Sequence, residues 1–514
     1  MLVRSTLLLT VLTAAGVAAA TADEGLADAA KNQDLRTIQS LVNQHADVNA
    51  RSDDGSTALL WAAHWNDLDT SALLLRAGAD ANAANDFRMT PLSQACVNGS
   101  AALVKLLLKS GAKPNLAVAT GETPLMTCAK TGNVEAVRTL ISHDAAINAK
   151  EPVQNQTALM WAAAEQHPAV VKALIEAHAD LQAHSKKGYT ALHFAARVGD
   201  QESVRLLLAA GVNVDLRTQP DVADTEPGET LVAGRGRSRV RGGSFYRKSA
   251  STAGYTPLLV ATVRGEVATA LFLLDQGADP NVLDAGFTPL HWASTTWEGF
   301  TANPVYGFEN PMAGIPDRQV KLQFVKALLA HGANPNARMT KTQPTFASGF
   351  LDAVGATPFL LASSVDDLEM MKLLLAAGAD PKIPTASNTT AIMAATALHH
   401  GVGESPVTEA QAREAVNFLL GLGLDAKGAT MTGENALFGP AYRGWNTLLG
   451  QLIDLGVDVN AVSKAGVTPW LAANGQGDRL GGVLYNKEGA DLLRKHGADP
   501  KLGHPCEAQN ECGE

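Results

Sequence analysis

Residues 188–215 read GYTALHFAARVGDQESVRLLLAAGVNVD, and this stretch decides the fold. Thr190 precedes a run of helix formers, where its hydroxyl can cap the first free N–H groups. Leu192, Phe194, Ala195 and Ala196 give that helix an apolar side with small residues on which a neighbour can lie closely. Gly199-Asp200 breaks it. Val204, Leu207 and Leu208 recur at helical spacing in a second helix, which Gly211 closes as a left-handed cap. A unit this small has nowhere to bury its apolar side, so copies of it must be stacked.

The copies are present. The equivalent of Thr190 recurs as Thr57, Thr90, Thr123, Thr157, Thr256, Thr288, Thr357, Thr390, Asn435 and Thr468. Most steps are 32 to 34 residues, and the longer ones are a repeat plus an insertion. Where Pro follows the Thr, as at Pro91, Pro124 and Pro289, it takes the first helical position, where a missing N–H costs nothing. The pattern resembles the ankyrin repeat, whose T-P-L-H-x-A signature stands here as Thr288-Pro289-Leu290-His291-Trp292-Ala293. The family's G-A-D-x-N finger follows in Gly78-Ala79-Asp80-Ala81-Asn82 and Gly277-Ala278-Asp279-Pro280-Asn281. The resemblance implies an all-α solenoid of about eleven or twelve helix–turn–helix–finger repeats.

The expected organisation follows from the spacing. A capping repeat spans 24–53, and regular repeats follow at 54–86, 87–119, 120–153, 154–186 and 187–216. A Gly- and Arg-rich loop at 217–252 interrupts them. Further repeats span 253–285, 286–337 (with an insert at 297–317), 355–386 and 387–430, with another insert at 338–354. The last two, 432–464 and 465–501, are degenerate, and 502–514 is a polar tail. Gly439-Pro440 is expected to disrupt one first helix. Insertions in a stack of neighbours cost little stability, and here they gather in the C-terminal half, which is where the sequence places a specific task.

The net charge of −10 gives no electrostatic case for nucleic acid. Arg4, the apolar run Leu7 to Ala20 and the small-x-small Ala20-Thr21-Ala22 read as an export signal at 1–22, with a retained helical anchor as the alternative. The expected location is periplasmic or extracellular. Cys96 and Cys128 fall on small-residue positions of neighbouring first helices and read as buried, unreactive thiols. Cys506 and Cys512 lie in the tail, where an oxidising compartment favours a small disulfide loop.

No catalytic constellation is legible: H-E-x-x-H, G-x-S-x-G and a P-loop are all missing from the sequence. The adjacent pair His399-His400 points in divergent directions on a helix and makes a poor metal site. The inserts offer Glu298, Glu309, Asp317 and Asp352 with no His or Cys, which argues against an enzyme built there. No cofactor is expected. Trp61, Trp161 and Trp292 each stand four residues after the Thr and read as core.

The candidate surface residues are of a different kind. Tyr189, Tyr255 and Phe287 immediately precede three capping threonines, Arg197, Arg264 and Trp65 lie at the ends of first helices, and Trp297 adjoins an insert. In the family, finger tips and the exposed side of the first helix hold partners, and Tyr, Trp and Arg are enriched in binding hot spots. These rings either contact a partner or pack on neighbouring fingers. Arg235, Arg237, Arg239 and Arg241 form a basic run that suits either an arm seeking an acidic surface or a solvated loop. The expected function is a non-enzymatic scaffold for another protein, acting as a monomer. Membrane contact would come only through an uncleaved signal or the basic loop. An accessory subunit or secreted effector that modulates an enzyme or a host protein is the alternative.

Overall fold

The computed structural model describes residues 25–219, 253–295, 315, 317–341, 353–398, 407–476 and 485–503. They divide into two compact units, one within Met1–Asn213 and one within Val214–Glu514. Among the described residues all regular structure is helical, apart from isolated bridges at Arg51 with Thr57 and Ala429 with Asn435.

In the first unit the first helices Ala58–His64, Pro91–Val97, Pro124–Thr131, Ala158–Ala164 and Ala191–Val198 pack in series. The second helices Leu68–Arg76, Ala101–Lys109, Val134–Ile141, Pro168–Glu176 and Gln201–Ala209 form the adjoining layer. Thr57, Thr90, Thr123 and Thr157 each accept the N–H three residues on, as their sequence position predicts. A cap of this kind is worth about 1 kcal/mol. Leu59, Leu74, Leu92, Leu103, Leu107 and Leu125 are fully buried between the layers. Each such side chain contributes roughly 1.5–3 kcal/mol.

The finger motif joins one repeat to the next. The Asn49, Asn82 and Asn115 carboxamides donate to the carbonyls of Gly78, Gly111 and Asp144, which end the following second helices. The same side chains accept the N–H groups of Asp80, Lys113 and Ala146. A donor and an acceptor on one atom group thus satisfy a helix end and a finger together. The finger tips also pair through their backbones, Asp86 N–H donating to Asp54 and Ala119 N–H to Phe87, each at 3.1 Å. Lys186 N–H reaches Gln154 in the same way. Between these stands Pro152, which occupies the donor position opposite Thr120 and has no N–H.

Cys96 and Cys128 form a disulfide with Cα atoms 4.6 Å apart, which corrects the sequence expectation of free thiols. Two first helices that meet through Ala95, Cys96, Cys128 and Ala129, all fully buried, bring their backbones close enough for the bond.

The second unit repeats the plan with Pro257–Arg264, Pro289–Ala293, Pro358–Ser364 and Ala391–Ala395 as successive first helices. Thr256, Thr288, Thr357, Thr390 and Thr468 are capping residues here too. Asn281, Asn336 and Asn460 bridge to Gly332, Gly378 and Gly497. Asp215 stands in the same place and accepts Asp279 N–H at 3.0 Å, but a carboxylate has no proton for the carbonyl. Burial and then the charge of Asp279 push its carboxyl up.

Gly439-Pro440 does not break its helix. The helix begins late, at Phe438, so both residues fall in its first turn, where Pro loses no bond. Gly439 is required there because a Cβ would overlap the Thr396 carbonyl oxygen.

Candidate functional site

On a helix the fourth, seventh and eighth residues after the cap share one side. In the first unit this side forms an open row along the first helices. Its fourth residues Trp61, Gln94, Thr127 and Trp161 are half-buried, and Phe194 is buried. Its seventh residues Lys31, His64, Val97, Lys130 and Arg197 are exposed and Ala164 is half-buried, while the eighth residues Trp65, Asn98, Thr131 and Glu165 are exposed. Asp28, at the fourth position of the capping repeat, is exposed as well.

Contacts between repeats hold the row in place. Trp65 is 44% exposed, and its indole N–H donates to the Lys31 carbonyl at 3.1 Å. Asn98 donates to the carbonyls of Ala63 and His64, and the Thr131 hydroxyl donates to that of Cys96. Trp65, Asn98 and Thr131 therefore each cap the helix before them. His64 lies edge-on to both Trp61 and Trp65, with ring centres 5.5 and 4.8 Å apart. Lys31 sits over the Trp61 ring at 5.4 Å, Lys130 over Trp161 at 4.6 Å and Arg197 over Phe194 at 5.6 Å. The buried indole N–H groups of Trp61 and Trp161 have no acceptor among the described residues, so these rings are held by their faces.

The second unit differs at the same positions. In its first four repeats the fourth residues Val260, Trp292, Leu361 and Ala394 are buried, and so are the seventh residues Val263, Thr295, Ser364 and Ala397. In the last two repeats the seventh residues Tyr442 and Gly475 are half-buried. Arg264 remains exposed, as the sequence suggests.

The surface placement of Tyr255 and Phe287 is corrected: they are 3% and 1% exposed. Their rings meet edge to face at 5.8 Å, Phe287 lies 5.9 Å from Trp292, and Tyr255 N–H donates to the Thr218 hydroxyl. Burial turns a presumed contact surface into core. Tyr189 is half-buried against His193 and Phe194. Trp297, Arg235, Arg237, Arg239, Arg241, Cys506, Cys512, His399 and His400 lie outside the described residues, as does the segment 1–22. What sequence reasoning passed over is Val97, exposed at 48%, and the two lysines over tryptophans. The signal was present, since both lysines stand seven residues after a cap position and each ring four residues into the next repeat.

His193 and His291 occupy the T-P-L-H position and are buried. His291 Nδ1 accepts Thr288 N–H at 3.1 Å, and Nε2 lies 3.0 Å from the Ala337 carbonyl. That pattern requires a neutral ring with its proton on Nε2, and burial lowers its pKa to about 4. Burial also raises the Asp366 carboxyl well above its usual range, an effect Arg443 opposes. One raised carboxyl makes no acid–base pair. Asp317, the described member of the insert carboxylates named above, caps the helix Arg318–Ala330. Among the described residues no group of three or more His, Cys, Asp or Glu could hold a metal ion, and no helix is long and apolar enough to cross a membrane.

Comparison with known proteins places these features. A profile of three ankyrin repeats matches residues 26–118, 115–185 and 149–218, and the single ankyrin repeat matches 253–285, 285–340 and 354–386. Protein PhlB of Serratia liquefaciens is 31% identical over 163 residues, covering 31% of this chain and 56% of PhlB. The chain thus spans about half the length of that relative. The crystal structure of the human ASB11 ankyrin repeat domain aligns at 25% identity and a TM-score of 0.39, over 50% of this chain and 98% of that domain.

Proposed function

Because the chain belongs to the ankyrin-repeat family, whose repeats form protein-interaction scaffolds, we propose that it is an exported, non-enzymatic scaffold holding a protein partner on the open row of its first unit. The observation that carries this reading is the exposure of Trp65 and Val97 on successive repeats. In four successive repeats of the second unit the equivalent fourth and seventh residues are buried, so the task moves from the decorated half to the plain one. Large apolar side chains left in the open beside cations are the composition of a contact surface.

Export is supported by two independent features. One is the apolar stretch Leu7 to Ala20 that ends in Ala20-Thr21-Ala22. The other is the Cys96–Cys128 disulfide, a bond that persists in oxidising compartments.

Capture from the native envelope fraction tests the scaffold. The Trp65→Ser/Val97→Ser protein should lose the partner and keep its thermal midpoint within a few degrees. Capture at wild-type level refutes the assignment. Sequencing the N-terminus of protein from fractionated cells tests export, with a start near Asp23 expected and an intact Met1 start in the cytosol counting against it.

A further inference from the structure

We propose that the segment held on this row is acidic: an extended stretch of about fifteen residues with carboxylates towards both ends and apolar residues between. The proposal rests on the reading of the open row as the contact surface and gives its occupant a chemistry.

Charge is the first argument. The chain carries a net charge of −10, yet the exposed seventh positions of the first unit are Lys31, His64, Val97, Lys130 and Arg197, with no acid among them. The acids on the row, Asp28 and Glu165, lie at the fourth and eighth positions. Among the described residues neither Lys31 nor Lys130 has a carboxylate within ion-pair distance.

Preorganisation is the second. Both lysines are held by the same device, a seventh residue over the fourth-position tryptophan of the next repeat. A cation over a ring face keeps its full charge and is biased towards that rotamer. An arriving carboxylate therefore meets a charge already favoured in one place, at a smaller cost in lost side-chain freedom. Arg197 is placed differently, over the Phe194 ring of its own helix, and adds a third cation to the row.

Spacing gives the length and the apolar centre. Packed helices lie about 10 Å apart, so Lys31 to Lys130 spans roughly 30 Å over three repeats, and Arg197 lies about 20 Å further. An extended chain rises about 3.3 Å per residue, and about fifteen residues cover that distance. Between the first two cations stand Trp65 and Val97, which call for apolar side chains opposite them.

The test titrates the full chain with a labelled fifteen-residue peptide bearing two glutamates at each end and leucines between them. Two controls accompany it, one with lysines in place of the glutamates and one with the glutamates moved to the centre. Binding should favour the first peptide, weaken with added salt, and fall by at least about tenfold in Lys31→Glu/Lys130→Glu. Lys130→Ala/Arg197→Ala should also weaken it, and circular dichroism should show unchanged helicity in both proteins. Equal binding of either control, or no effect of the charge reversal, overturns the proposal. So does preferential binding to phosphatidylserine vesicles, which would assign the row to a membrane surface. In the envelope capture, a partner retained by Lys31→Glu/Lys130→Glu defeats this inference alone. A partner retained by Trp65→Ser/Val97→Ser defeats the reading beneath it.

Discussion

The two units run the same repeat and finish it differently. At the seventh position after the cap, the first unit shows Lys31, His64, Val97, Lys130 and Arg197 to solvent, and the second buries Val263, Thr295, Ser364 and Ala397. Just before the cap, Tyr189 is half-buried in the first unit, whereas Tyr255 and Phe287 are core in the second. A repeat position therefore has no fixed role. Whether it contacts a partner or stabilises the fold depends on what the rest of the chain lays over it.

The sharpest way to break this contrast is to truncate one apolar side chain from each side of it. Phe287→Ala should cost about 3–5 kcal/mol, and Val97→Ser should stay within about 0.5 kcal/mol, both read from denaturant unfolding. Similar losses would erase the distinction between the units.

The disulfide belongs to the first unit alone among the described residues. Cys96→Ala/Cys128→Ala should lower stability by about 3–4 kcal/mol for a closed loop of 32 residues. Thiol counting under denaturing conditions should find both cysteines oxidised in exported protein. Free thiols at these positions would remove the structural argument for export.

Acid should act on the second unit through His291. Its folded pKa of about 4 lies below the ordinary histidine value of 6.5, so the unfolded chain binds the extra proton between those values. Stability is full above about pH 6.5 and is lost as pH falls towards 4, by about 3 kcal/mol in the limit. Asp366 has the opposite sign, since a raised carboxyl favours the folded state as pH falls. The measurement is therefore the difference between wild type and His291→Asn across that window. A difference that does not vary with pH rejects the neutral, buried ring.

The smallest effect is a repair. Asp215→Asn should restore the missing donor to the next helix end and raise stability by about 1 kcal/mol. No gain would mean that the finger bridge works through its acceptor alone.

Much of this fold could be read from the chain. The threonine caps, the closing glycines and the G-A-D-x-N fingers are local devices, and each acts within a few residues of itself or on the next repeat. The open row was harder, because exposure is a property of neighbours. Tyr255 and Phe287 have the residue types of a contact surface, and residue type alone does not report that a neighbour covers them. The disulfide was hidden by stagger: Cys96 is the second small residue of its pair and Cys128 the first, so equal spacing from the caps does not align them. Lys31 and Lys130 share a register that a count from the caps reveals, but the rings they cover belong to the following repeat.

Pro152 interrupts the backbone ladder of the fingers, and Thr120 is left without a donor opposite it. The row of tips is accordingly a hinged strip rather than a continuous one, with its joint in the middle of the first unit. Tips on either side of that joint can splay without breaking an amide hydrogen bond to each other, so pulling forces or a bulky visitor will spread the strip more easily here than at the Asp54–Asp86 and Phe87–Ala119 pairs.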